Sequence, residues 1–228
     1  TDADGNTTSE SSSVTVGNNI LGASGRRTET DADGNSVTTG GSATISTSGM
    51  NVTGDHARTT VAEDGSSSSY GVSGGVNIDT KKKTTTIDGQ VTTSNTDAEG
   101  NSASTSTSGR VVLGEDASLK SVGGSRTTST TDADGNKVSA TTTGDASLHA
   151  DGTLKSVAGS HSSSTTDADG NKTSTTTSGD ASLHADGSLK SIGGSHSSST
   201  ADADGNKTSA TTSASATLHE GGTIKTLT

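Results

Sequence analysis

The stretch that decides the fold is DADGNKTSTTTSGDASLHADGSLKSIGGSHSSSTA, residues 167–201. It contains two short turn motifs, one starting at Asp167 and the other at His184, separated by a segment rich in threonine and serine. Asp-Gly within a short polar loop is typical of hairpin connections, because glycine adopts the positive φ that other residues resist. Threonine, valine and isoleucine favour extended strands. The stretch therefore predicts long strands joined by tight turns.

The same unit recurs along the whole chain. Its Asp-Ala-Asp-Gly-Asn motif, or a variant of it, recurs at intervals of 29, 31, 35, 35, 35 and 35 residues. Each full unit also has a second turn half a period later, so about seven hairpin units and 14 strands are expected. The motif starts at Asp2, Asp31, Ala62, Asp97, Asp132, Asp167 and Asp202.

These patterns predict an all-β fold, a repetitive antiparallel β-meander or solenoid-like stack of about seven 35-residue hairpin repeats. Helices are not expected, because no apolar stripe with a 3.6-residue period exists and Ser, Thr and Gly are poor helix formers. Residues 97–228 hold four near-regular repeats. Residues 1–96 hold three divergent units, which we interpret as an end or assembly region, since terminal repeats commonly differ.

Glycines in the middle of the predicted strands suggest a further feature. Hairpin pairing would place Gly179 opposite Gly193–Gly194, and Gly144 opposite Ala158–Gly159. Paired mid-strand glycines mark bends or close backbone approach. We therefore expect the long strands to fold over at these glycines into two layers. Leucines flank the second turns and predict a thin apolar seam through the pairs Leu148–Leu154 and Leu183–Leu189.

The composition is that of a chain without a conventional core. Of 228 residues, 86 are Ser or Thr, 31 are Gly and only 28 are Val, Ile or Leu, and the net charge is −11. Such a composition is typical of disorder, but the chain contains no proline, and its regular repetition favours an ordered array. A chain with so few apolar residues can be ordered only if neighbouring units bury part of its surface. We expect them to do so by packing small side chains together, as in silk or amyloid.

Several functional classes are disfavoured by the same composition. The chain contains no cysteine for disulfides or metal binding, and no apolar run of the roughly 18 residues that a membrane span needs. A basic, aromatic-rich surface for nucleic acid is absent, and so are the aromatic residues that commonly line catalytic pockets. We expect no enzymatic activity, no nucleic-acid partner, no membrane span and no cofactor.

The acidic turns are weak candidates for cation binding. Closely spaced carboxylates suit hard cations such as Ca²⁺. The glycine is however the fourth residue of the motif and no bidentate glutamate follows, unlike the EF-hand pattern, so hairpin turns stabilised by local hydrogen bonds are the favoured interpretation. Loose Ca²⁺ binding along the turns remains open. The candidate metal ligands are Asp132, Asp134, Asp167, Asp169, Asp202 and Asp204.

Histidines and asparagine sequons recur in the repeats as well. Five of the six histidines occupy two repeated positions and predict polar ladders, with zinc or copper bridging as a weaker alternative. They are His149, His184 and His219 at one position and His161 and His196 at the other. Asn-x-Ser/Thr sequons, which are candidate glycosylation sites in an exported protein, begin at Asn6, Asn51, Asn171 and Asn206.

The turn motif resembles the turns of bacterial YD/RHS repeats, but the aromatic residues and shorter period of those repeats are missing. In composition and repetition the chain is similar to silk-like, adhesive and functional-amyloid proteins. We therefore expect a secreted, extracellular structural subunit that forms a β-rich fibre or adhesive matrix with copies of itself. The alternatives are a sheet that binds ice, mineral or carbohydrate through threonine rows (Thr141 to Thr143, Thr175 to Thr177), and an adhesin stalk.

Overall fold

The computed structural model describes residues 1–17 and 19–228. Its fourteen strands confirm the predicted all-β fold, and among the described residues no helix is long and apolar enough to cross a membrane. The strands are β1 (Thr7–Gly17), β2 (Ile20–Thr30), β3 (Ser36–Ser46), β4 (Gly49–Val61), β5 (Ser67–Asp79), β6 (Thr84–Thr96), β7 (Ser102–Gly114), β8 (Leu119–Thr131), β9 (Lys137–Leu148), β10 (Leu154–Thr166), β11 (Lys172–Leu183), β12 (Leu189–Ala201), β13 (Lys207–Leu218) and β14 (Ile224–Leu227).

The chain divides into two compact units. Unit 1 comprises Thr1–Ala117 and strands β1 to β7, whereas unit 2 comprises Ser118–Thr228 and strands β8 to β14. Within each unit the strands follow the order of the chain, and each pairs antiparallel with its sequence neighbours. The predicted meander is therefore confirmed. The proposed division into residues 1–96 and 97–228 rests on repeat divergence and stays a prediction.

The mid-strand glycines pair as expected but do not fold the strands over. Gly144 lies opposite Gly159, and Gly179 opposite Gly194. The strands nevertheless continue through these positions, and no hydrophobic, polar or charged residue of the described chain is buried. Each unit is thus a single layer, and the predicted second layer is wrong. Glycines in register leave the backbone ladder intact, so they form a furrow in the sheet instead of a bend.

One face of unit 1 carries two neighbouring rows of apolar side chains, which we call the apolar strip. The rows lie on the same face because their residues are two apart on every strand. Of the 14 positions, 13 are apolar. The first row is Val14, Ala23, Ala43, Val52, Val76, Ile87 and Val111, and the second is Val16, Leu21, Ile45, Met50, Ile78, Thr85 and Leu113.

The opposite face of the same strands is polar. Of the 14 positions in the two rows that alternate with the apolar strip, only Val112 carries a large apolar side chain. The others carry hydroxyl, amide or charged groups or are glycine, as at Asn51, Thr53 and Asp88. Unit 1 is therefore a strongly amphipathic sheet with both faces open.

Unit 2 carries a thinner version of the same pattern. A single row of small and medium apolar residues crosses all its strands, and the predicted pairs Leu148–Leu154 and Leu183–Leu189 are confirmed beside it. Both leucine pairs border register shifts next to the turns. The apolar row is Val122, Ala146, Val157, Ala181, Ile192, Ala216 and Leu227.

Candidate functional site

The five residues of the acidic motif form one hairpin turn and stabilise it with hydrogen bonds. In the copy that starts at Asp167, Gly170 N–H donates to the Asp167 carbonyl at 3.0 Å, and the glycine has a φ of 91°. The Asp167 carboxylate accepts bonds from the backbone N–H of Asn171 (2.8 Å) and from Asn171 Nδ2 (2.9 Å). The first aspartate is therefore a structural element of the turn, and its oxygens are already occupied by protein donors.

Protonation of this aspartate is opposed by the same contacts. The hydrogen bond from the Asn171 side chain is the leading cause that holds the pKa of the Asp167 carboxyl below its ordinary value, and the backbone N–H of Asn171 adds to it. The pKa of Asp132 and of Asp202 is lowered for the same reason, by Asn136 and Asn206. A carboxylate that accepts several hydrogen bonds is favoured in its charged form. The contacts of these turns therefore favour the ionised aspartates.

In two of the motifs of unit 2 the terminal asparagine also connects successive turns. Asn136 Oδ1 accepts a bond from Ala168 N–H at 2.9 Å, and Asn171 Oδ1 accepts one from Ala203 N–H at 3.1 Å. The two turns that each bond joins lie two strands apart in the sheet. The amide group thus donates within its own turn and accepts from the next. This asparagine ladder was missed by the sequence analysis, which treated the residue as part of a local turn only.

Replacing Asn171 by alanine is expected to raise hydrogen exchange at the Ala203 amide, because its only described acceptor is lost. The matched control is Asn206→Ala, since Asn206 makes the same two bonds to Asp202 but its Oδ1 accepts no bond from the described residues. The free energy of local opening at the Ala203 amide should fall by about 0.5–1.5 kcal/mol more in Asn171→Ala than in the control, which is the net value of one hydrogen bond. Exchange mass spectrometry of peptides covering residue 203 measures it, and equal exchange in both variants would contradict the ladder.

The candidate metal ligands are divided by the structure into two groups. Asp132, Asp167 and Asp202 face their own turn, whereas the carboxylates of Asp134, Asp169 and Asp204 form no hydrogen bond or ion pair with the described residues. Among the described residues, no three His, Asp or Glu side chains converge on a point where a metal ion could be held. Cation binding at these turns stays a prediction.

The histidines lie in rows in which threonines separate them. His161 Nδ1 lies 2.9 Å from Thr142 Oγ1, and His196 Nδ1 lies 2.9 Å from Thr177 Oγ1. Thr177 lies on the strand between the two histidines, so the strands that carry them are about 9.6 Å apart, and a threonine hydroxyl contacts Nδ1 of each histidine. Bridging of the histidines by zinc or copper stays a prediction. Unit 1 repeats the contact through His56 and Thr39 at 3.1 Å, which the sequence analysis did not connect with this position.

The second histidine position, at the start of the other turns, contacts the next hairpin. His149 Nε2 lies 3.3 Å from the Leu183 carbonyl oxygen, whereas Nε2 of His184 is buried and without a hydrogen-bond partner. In the turn that His149 begins, Asp151 Oδ1 accepts from the backbone and hydroxyl of Thr153. The turns that start at His149 and His184 are thus stabilised by an aspartate in the third position, where the acidic motif uses its first.

Serine and threonine side chains form cross-strand ladders on the face of unit 2 opposite its apolar row. Hydroxyl pairs at 2.6–2.9 Å join neighbouring strands, so each side chain finds a partner within the sheet. The pairs are Ser139–Ser164, Thr143–Ser160, Ser147–Ser156, Ser174–Ser199, Ser178–Ser195 and Ser182–Ser191.

The chain matches no known protein family, no curated protein and no solved structure.

Proposed function

We propose that the chain is a secreted, non-catalytic structural subunit that assembles with copies of itself into an extracellular β-rich fibre or adhesive matrix. The observation that supports this proposal is the absence of a core: no hydrophobic residue among those described is buried. A single layer of strands leaves both faces open, and folding costs about 1–2 kcal/mol of backbone entropy per ordered residue. Contacts with further copies supply the missing burial.

The surface chemistry of the sheet suits stacking. Hydroxyl ladders and glycine furrows give low, regular faces on which small side chains can interdigitate, as they do between the sheets of cross-β assemblies. Strand β1 also presents the features of an adhesive edge: it is 11 residues long, lacks proline and pairs with β2 without a bulge. Long, regular edges readily pair with further strands.

Negative-stain electron microscopy with and without a calcium chelator tests the proposal, together with sedimentation at increasing protein concentration. We expect concentration-dependent growth into uniform filaments, with reflections near 4.8 Å and 10 Å in fibre diffraction. Filaments that persist in chelator would leave the acidic turns with a structural role alone. Filaments that dissolve in chelator would assign Ca²⁺ binding to those turns. Compact monomers at every concentration would overturn the proposal.

A second candidate is a sheet that binds ice, mineral or carbohydrate, or one that forms an adhesin stalk. It is favoured by the regular hydroxyl rows, which include Thr141, Thr143 and Thr176 on one face of unit 2. The neighbouring Thr142, Thr175 and Thr177 lie on the other face, since side chains alternate along a strand. Inhibition of ice recrystallisation, or retention on mineral or carbohydrate, by a chain that stays monomeric would support this candidate over the fibre.

A further inference from the structure

We propose that the face of unit 1 that carries the apolar strip packs on the same face of a second copy of this chain. The two sheets would form a sandwich about 10 Å deep, related by a twofold axis, so that each copy contributes the same residues. This inference rests on the self-association proposed above and identifies the surface that mediates it.

No residue of the strip is buried, although an isolated globular protein would bury most of them, and eight of the 14 are exposed. The exposed fraction of the residue is 39% for Val52, 43% for Ile87, 53% for Ile45 and 55% for Leu21. Neighbouring strands are about 4.8 Å apart, and residues two positions apart on a strand are separated by about 6.8 Å. Seven strands and two rows therefore give the strip dimensions of roughly 34 Å by 14 Å. Contiguous apolar patches of several hundred Å² on a soluble protein mark interaction sites.

Charge is distributed so that the strip can be desolvated. None of its 14 positions carries a charged side chain. The charged residues of the same face lie beyond the glycine row, and Arg27 there is paired with Glu10 at 3.4 Å and with Glu29. The opposite face places Asp88 and Arg110 directly behind the strip. The strip, unlike the rows behind it, can therefore lose water without burying a charged side chain.

The glycine row gives this face a complementary shape. Gly41, Gly54, Gly74, Gly89 and Gly109 cross five strands beside the strip. A methyl group added at any of them would meet backbone atoms or nothing within 4 Å, so no side chain fills the furrow. The ridge formed by the strip of one copy can therefore seat in the furrow of the other, which brings the two backbones close together.

The available area exceeds what a stable dimer needs. The chain exposes 14043 Å². A compact monomer of its mass exposes about 9,300 Å², which leaves an excess of about 4,700 Å². A standard interface buries roughly 800 Å² on each partner, and the whole face of unit 1 covers about 34 Å by 40 Å. A second copy on this face would therefore bury part of the surface that the chain alone leaves exposed.

The test compares Val52→Asp with Asn51→Asp by sedimentation equilibrium. The two positions are adjacent and exposed on one strand, but Val52 lies in the strip and Asn51 on the polar face. Both variants gain one negative charge. We expect Val52→Asp to weaken dimerisation by more than about 100-fold, because it buries an unpaired charge twice per dimer, and Asn51→Asp to leave it within about threefold.

A second variant removes the concern that an aspartate disturbs the strand itself. Val52→Thr with Ile87→Thr keeps β-branched side chains and strand propensity, and it should still weaken dimerisation about tenfold or more. If the wild type and both strip variants associate equally, the proposal that the apolar strip mediates dimerisation is wrong. Filaments formed by the wild type would still support the proposed function. A wild type that stays monomeric at every concentration would overturn both.

Discussion

Replacing Gly49 by alanine is expected to disorder the junction of β3, β4 and β5. Gly49 has a φ of 142°, a conformation that L side chains rarely adopt. An added Cβ would lie 1.7 Å from the Ile78 carbonyl oxygen, which belongs to the backbone of the neighbouring strand and cannot move aside alone. Positive φ and the clash together should cost about 3 kcal/mol and lower the midpoint of thermal unfolding by about 5–10 °C.

The matched control is Gly109→Ala in the same unit. Gly109 lies in the middle of β7 without positive φ, and an added Cβ there would meet no atom within 4 Å. Measured on the monomer, at concentrations below self-association so that the furrow lined by Gly109 is unoccupied, this variant should be neutral or up to about 1 kcal/mol more stable, since glycine inside a strand is costly. Circular dichroism melts compare the two variants, and hydrogen exchange in β3 to β5 locates the damage. Equal melting temperatures would show that the positive φ of Gly49 and its close approach to Ile78 do not limit the stability of the sheet.

The turns and strands were predictable because their causes are local. Asp-Gly pairs and the threonine-rich segments between them specify hairpins within about 35 residues, and the positive φ of Gly135, Gly170 and Gly205 follows from the turn type. The expected pairing of Gly179 with Gly194 followed from simple hairpin register. The fold-over was wrong because the sequence shows which glycines pair but not whether the paired backbone bends.

The apolar strip could not be identified from sequence, since it exists only across strands. Val52 and Val76 belong to different repeats, 24 positions apart, and neither lies in an apolar run. The divergent repeats of unit 1 have periods of 29 and 31 residues, so their apolar positions do not align when the sequence is read at a fixed period. Strand register brings them together. The asparagine ladder could not be predicted for the same reason, because the residues that it joins are 32 positions apart in the sequence.

Acidification is expected to dismantle the turns together. Ten aspartates have a pKa below the ordinary value near 3.8, and in the acidic motifs the leading cause is the hydrogen bond from the terminal asparagine side chain. A lowered pKa in the folded state means that the unfolded chain binds protons more readily as the pH falls. These groups therefore contribute full stability above about pH 4 and lose it progressively below. The ten are Asp2, Asp31, Asp64, Asp79, Asp97, Asp132, Asp151, Asp167, Asp186 and Asp202.

A pair of triple variants separates the turn aspartates from general charge effects. Replacing Asp132, Asp167 and Asp202 by asparagine mimics their protonated state, because an Asn side chain places an amide where the carboxylate accepts the Nδ2 bond. The control replaces the exposed carboxylates two positions further on, with the same change in net charge. The control residues are Asp134, Asp169 and Asp204.

At pH 7 the first triple variant should melt at a distinctly lower temperature than the wild type, and its melting point should change less between pH 7 and pH 3. The control should melt at nearly the wild-type temperature at pH 7 and lose stability in acid as the wild type does. Removing negative charge from a chain of net charge −11 relieves self-repulsion in both variants alike, so this effect cancels in the comparison. If both variants respond to pH identically, acid sensitivity does not reside in the first aspartate of the motif, and the turn is stabilised by its glycine and backbone bonds instead.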